Sequence, residues 1–321
     1  MSILLSPEII ILFIQDVLLL GFNSLAVFLA FRIQQNFDLN QTTPLQYRLE
    51  RQTYLVATII RFALTVKIFS FVFFVFTLDK LSNLITGAMC GVGVTNASEY
   101  GLSVLLIKLV SIYLFGFWLL VDREDRKTED YHYTINKFRF FIGIYVLFLL
   151  EVVLQYLYLT DINPAEIVSC CGTVFNAAST SFTGKLLMIP DEVVLPSFYI
   201  ITAMLIWTTL RKDIVLTGII NLFFLGFGLL SLISFFSTYI YELPSHQCPF
   251  CLLQSDYHYV GYLIYSFLLS GTFFGVAGLV LQLFFDIKIK TLKLSLVLNL
   301  AFVLLVSAYP ILYFLRNGVW L

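Results

Sequence analysis

Two cysteines two residues apart, Cys248 and Cys251, stand in the stretch HQCPFCLLQSDYHYVGY at the edge of a strongly apolar segment. Paired thiols at that spacing can close into a disulfide within one helical turn and reopen, which is the chemistry of thiol–disulfide exchange. Pro249 between them suits the first turn of a helix, where a missing N–H leaves no bond unmade. A cysteine at a helix N-terminus has its thiolate favoured by the helix dipole. A protonated His246, two residues before the pair, would add to that stabilisation. The same two cysteines would also serve as a structural disulfide or a metal clip. On a helix beginning near Pro249, Cys251, Gln254, His258 and Tyr262 recur at steps of three, four and four and share one face. A thiol, an amide, an imidazole and a phenol in one stripe form a candidate site for a quinone head group. The competing assignment is interfacial anchoring, because Tyr257, Tyr259 and Tyr265 suit an aromatic belt equally well.

The elements that must position these residues are membrane helices. Of 321 residues, 60% are apolar and only 12% charged, and the mean hydropathy is +0.92. Such a composition excludes an ordinary soluble domain and indicates an all-α polytopic membrane protein. A net charge of −1 carries no nucleic-acid signal. Eight apolar segments are long enough to span, at about 8–31, 54–78, 102–121, 139–159, 192–210, 214–239, 258–285 and 294–315. No Lys or Arg precedes Arg32, so the first is read as a spanning helix and not a cleaved signal peptide.

Basic residues fall on alternate loops. One set holds Arg32, Arg48 and Arg51, then Arg123 through Arg139, then Arg211 and Lys212, then Lys288, Lys290 and Lys293. The other set, with the C-terminus, holds only Lys80, Lys185 and Arg316. The positive-inside rule places the first set in the cytoplasm and both termini outside. All five cysteines then lie outside: Cys90 after helix 2, Cys170 and Cys171 after helix 4, and Cys248 and Cys251 after helix 6. Disulfides form and persist in that compartment. Cys90 sits in a small-residue loop, LSNLITGAMCGVGVTNASEYG. Cys170 and Cys171 are adjacent, and a bond between neighbours is strained, so at least one of them should face another partner. The stretch CGTVFNAAS from Cys171 loosely echoes CGVGVTNAS from Cys90.

Several polar residues lie within the apolar runs. Asp16, Arg61, Lys67, Glu151 and Gln155 should pair with one another or line a water path, and Lys108 lies near enough to the outer surface to snorkel. His132 belongs to a solvated cytoplasmic connector. Asn221 interrupts helix 6. Gly271, Gly275 and Gly278 give helix 7 a small-residue face for close packing. Helix 8 carries no functional signal.

The order from helix 4 to helix 7 resembles the vitamin K epoxide reductase (VKOR) family. VSCCGTVFNAASTSFTGKLLMIP is similar to that family's outside loop, and CPFC at 248–251 takes the place of its active-site pair. CPFCLLQ is also similar to a segment of DsbB. The resemblance implies a VKOR-like four-helix bundle over 139–285, an N-terminal three-helix extension over 1–138, and an extra C-terminal helix within 286–321. It implies a thiol–disulfide oxidoreductase that passes electrons to a ubiquinone- or menaquinone-type acceptor. Cys251 would face the quinone, with Gln254, His258 and Tyr262 as quinone-binding residues, and Cys248 would exchange with the loop cysteine. A thioredoxin-like thiol protein on the periplasmic side of a bacterial inner membrane would be the partner. The family's loop carries two separated cysteines, and none stands upstream of Cys170 in DINPAEIV. Cys90 is therefore the candidate for the missing loop thiol, paired with Cys170 or Cys171. The competing readings are a metal- or haem-handling subunit using the cysteines, His246 and Met89, a structural subunit of a larger membrane complex, and a transporter.

Overall fold

A computed structural model describes residues 3–36, 43–127, 133–164, 166–168 and 189–321. Among these residues the regular structure is helical throughout, with no strand. The long helices are α1 (Pro7–Asn36), α2 (Pro44–Leu81), α4 (Gly101–Asp125), α5 (Thr134–Asp161), α6 (Asp191–Leu210), α7 (Ile214–Tyr241), α8 (Val260–Phe285) and α9 (Leu292–Asn317); α3 is a short helix over Gly91–Asn96. The eight long helices are each apolar enough to cross a membrane. The chain is a multi-pass membrane protein, and its many exposed Leu, Ile, Val and Phe side chains are what a lipid-facing surface requires.

Helix starts follow local chemistry. Pro44 opens α2, where Thr43 Oγ1 accepts from the amide of Gln46 at 3.3 Å. Asp213 caps α7 by accepting from the amide of Leu216 at 3.0 Å. Only Arg211, Lys212 and Asp213 separate α6 from α7, with Lys212 in the left-handed region at φ 59°. The two helices form the tight hairpin that so short a link demands. Helix α7 carries one π turn, Leu232–Phe236, before its last turn.

The chain divides into two compact units, Met1–Leu84 with Ala97–Ala165, and Ile85–Asn96 with Glu166–Leu321. This grouping is drawn differently from the segments 1–138, 139–285 and 286–321. Helix α5 packs with α1 and α4, and α9 packs with α6 and α8.

Buried charge explains why α5 joins the first unit. Lys67 Nζ lies 2.6 Å from Asp16 and 3.1 Å from Glu151, and Lys108 Nζ lies 2.7 Å from Glu151. Gln155 Nε2 donates to Asp16 at 2.7 Å. Four helices thus each contribute one charge to a neutral quartet. Pairing is what makes charge at such depth tolerable. Lys108 does not snorkel: only 3% of its surface is exposed, because Glu151 offers a partner inside the bundle. Arg61 serves elsewhere, 3.2 Å from Asp122, whose other oxygen is 3.1 Å from Lys137. His132 lies outside the described residues.

The second unit has its own polar knot. Asn299 Nδ2 donates to Asn221 Oδ1 at 2.8 Å, and Ser295 Oγ donates to the Gly271 carbonyl at 2.7 Å. A Cβ on Gly275 would sit 2.1 Å from Asn221 Nδ2, and one on Gly271 would sit 2.2 Å from Asn299 Oδ1. Those glycines let α8 come within touching distance of α7 and α9. The last helix therefore has a structural signal that its sequence did not suggest, in Ser295 and Asn299.

Candidate functional site

The cysteine pair is presented by a folded connector between α7 and α8. The last turn of α7 ends at Glu242, in the left-handed region at φ 54°, and Pro244 prevents the helix from resuming. The chain then turns through 246–250 and runs as two short 3₁₀ turns, Cys251–Leu253 and Ser255–Tyr257. Helix α8 begins only at Val260.

Cys248 and Cys251 therefore do not open a helix, and Pro249 lies in a turn. The physical reason lies in the carbonyls. A helix over 248–252 would need the Cys248 and Pro249 carbonyls for backbone amides further on. Instead Tyr241 Oη donates to the Cys248 carbonyl, and Tyr265 Oη donates to the Pro249 carbonyl at 2.7 Å. His258 and Tyr259 then both sit in the left-handed region, at φ 54° and 55°, which no helix tolerates. The predicted stripe of Cys251, Gln254, His258 and Tyr262 is consequently not assembled. Gln254 lies in an extended link and donates from Nε2 to the Met89 carbonyl at 3.1 Å. His258 is exposed, and Tyr262 lies in the first turn of α8, its amide bonded to the Tyr259 carbonyl.

What the connector does assemble is a sulfur cluster. Cys90 Sγ lies 3.4 Å from Cys248 Sγ, and the sulfurs of Cys90, Cys248 and Cys251 all fall within 4.8 Å of one another. The first contact is far longer than a disulfide bond and close to van der Waals touch. Cys90 comes from the segment 85–96, whose small residues let it lie against the connector as part of one core. That core also holds Val92, Phe198, Phe236, Leu252 and Ile264. Cys90 and Cys248 have no exposed surface, and Cys251 has 7%. Of the three, Cys251 keeps a little exposed surface.

Further contacts fix the connector. Gln247 Nε2 donates to the Ser234 carbonyl in the π turn of α7, at 3.1 Å. The Tyr241 ring packs edge-on against His246 and Tyr257, each with centroids 4.5 Å away. Gly261 lets the first turn of α8 press on Leu252, where a Cβ would meet the Leu252 backbone at 2.8 Å. Tyr241 and Tyr265 are the residues that sequence reasoning missed. Tyr265 suited an aromatic belt by pattern, and only the fold shows the two hydroxyls turned to the carbonyls of Cys248 and Pro249.

Electrostatically, His246 is half-buried, and burial pushes its imidazole below the ordinary value, with Cys90 pulling the other way. The neutral form is favoured at neutral pH, so the expected support of a thiolate by imidazolium is not what this geometry provides. Burial raises the Tyr257 phenol, with negative charge on Cys251 adding to the shift. Tyr257 stays a neutral donor beside the cluster.

Cys170 and Cys171 lie outside the described residues. The chain just before them is placed: the Val168 amide donates to the Thr86 carbonyl at 3.1 Å, and Gly87, at φ +87°, lies against the Val168 carbonyl. Only glycine combines that backbone conformation with so close an approach. No family model, curated protein or solved structure matches the chain.

Proposed function

We propose that this protein is a membrane thiol–disulfide oxidoreductase that moves electrons between cysteines outside the membrane and a membrane quinone. The observation that carries the reading is the 3.4 Å contact between Cys90 Sγ and Cys248 Sγ, with Cys251 in the same cluster. A sulfur at that distance from one end of a CxxC disulfide is already at attack range.

The chemistry balances in two steps. The reduced Cys248–Cys251 pair gives two electrons and two protons to a quinone, forming one S–S bond and a quinol. The Cys90 thiolate then attacks Cys248 Sγ; a Cys90–Cys248 bond forms, the Cys248–Cys251 bond breaks, and Cys251 leaves as thiolate. A dithiol on a thioredoxin-like partner outside, reached directly or through Cys170 or Cys171, reduces the Cys90–Cys248 bond and is itself oxidised to a disulfide. The Val168–Thr86 hydrogen bond, two residues before Cys170, supports a route from Cys90 to that segment. In this reading both termini and all five cysteines face the periplasm of a bacterial inner membrane. The support for that sidedness is the bias of basic residues between alternate loops.

The test is to reduce the purified protein, add a quinone without oxygen, and measure thiols lost and quinol formed. Two thiols lost per quinol is the expected result. Cys248→Ser and Cys251→Ser should each abolish it, and Cys90→Ser should keep the first turnover but block transfer to an added dithiol protein. Quinone that stays oxidised in the presence of both Cys248 and Cys251 would refute the reading.

A further inference from the structure

The sulfur cluster has a second capacity, which does not rest on the redox reading. Its three thiols come from two distant stretches, 90 and 248–251, and converge in one buried core. With metal–sulfur bonds of about 2.3 Å, an ion at the centre of three sulfurs sets them about 4 Å apart. Here Cys90 Sγ and Cys248 Sγ stand 3.4 Å apart, and all three sulfurs lie within 4.8 Å of one another. An ion therefore enters with sulfur shifts under about 1 Å, within the reach of side-chain rotation.

The donor set selects the ion. Among the described residues the cluster gathers three thiols and no imidazole or carboxylate. A zinc site takes four ligands as a rule, and hard cations take oxygen. All-thiolate sites suit soft ions, and a three-coordinate one suits a monovalent soft ion of the Cu(I) class. The second requirement of such a site is ligands held in place by their supports. The Tyr241 and Tyr265 hydroxyls hold the carbonyls of Cys248 and Pro249, and Gln254 ties the connector to the Met89 carbonyl beside Cys90. These three bonds hold the backbone that carries all three sulfurs. Met89 itself is 79% exposed and enters this site through its carbonyl contact alone.

We propose that the reduced Cys90–Cys248–Cys251 triad binds one soft monovalent metal ion of the Cu(I) class in a three-sulfur site. Occupied, the site withdraws all three thiolates from exchange, so metal binding and disulfide formation among them exclude one another.

The test titrates the full-length reduced protein with Cu(I), without oxygen or quinone, against a coloured Cu(I) chelator. One ion per chain should be held. Cys90→Ser, Cys248→Ser and Cys251→Ser should each weaken binding more than about 100-fold, beyond the loss caused by removing a supporting hydrogen bond. X-ray absorption of the loaded wild-type protein should show three sulfur neighbours at one distance, a measurement that needs no variant to fold. No ion held by the wild-type protein, binding unaltered by Cys90→Ser, or a two-sulfur spectrum would overturn the proposal.

Discussion

Gly261→Ala is the sharpest test of how the connector is held. The residue lies in the first turn of α8 with ordinary helical backbone, so the substitution adds only a methyl group. That methyl would meet the Leu252 carbonyl carbon, carbonyl oxygen and Cβ, each at 2.8 Å. Two of those atoms are backbone and cannot yield by a rotamer change. Leu252 is the middle residue of the turn Cys251–Leu253, so relief requires that turn to lift from α8. Overpacking of this kind costs about 1–3 kcal/mol. Spent on local opening, it shifts the open-to-closed ratio about 5- to 150-fold toward the open form. The assay is the rate of Cys90–Cys248 cross-linking by a mild thiol oxidant in membranes, with Cys251→Ser and Cys170→Ser/Cys171→Ser as background. The rate should fall, by no more than that factor, and the melting temperature should drop with it. Gly143→Ala and Gly226→Ala are the controls, because nothing lies within 4 Å of a Cβ at either. A Gly261→Ala protein that cross-links within twofold of its background and melts at the same temperature would show that the turn does not bear on α8 as described.

Two further expectations follow. Glu151→Gln leaves the buried Lys108 without its carboxylate, 2.7 Å away in the native chain, and should destabilise the first unit by about 3–5 kcal/mol in thermal melts. Adding Lys108→Met should restore most of that loss, since Lys67 keeps Asp16 at 2.6 Å, and a double variant no more stable than Glu151→Gln would refute the pairing. For His246 the native imidazole titrates below its ordinary value of 6.5. An opened connector then takes the proton first as pH falls, so the closed form is fully favoured above that value and loses ground below it. Maleimide labelling of Cys248, corrected for its thiolate fraction, should rise from pH 6.5 to 5.5 in the native protein and stay flat in His246→Gln; equal profiles would contradict the assignment.

Much of the protein was determined by sequence alone. Eight runs of apolar residues can only be helices in lipid, because every backbone amide needs an internal partner there. The hairpin at Arg211–Asp213 follows from a link too short for anything else. Asp16, Lys67 and Glu151 had to meet something of opposite charge, and they meet one another. The glycines of α8 announced close packing. What tertiary structure alone decided is the site. Periodicity assumed that the helix began at Pro249, but two tyrosine hydroxyls from α7 and α8 take the carbonyls that such a helix would use. The single helix expected to carry Cys251, Gln254, His258 and Tyr262 is not formed for that reason, and no spacing rule reports a hydroxyl arriving from another helix. Cys90 could be matched to the pair only by its compartment, since 158 residues separate it from Cys248. Their contact is a product of packing. A small-residue segment and a tyrosine-held turn share one core, and that core brings the three sulfurs together.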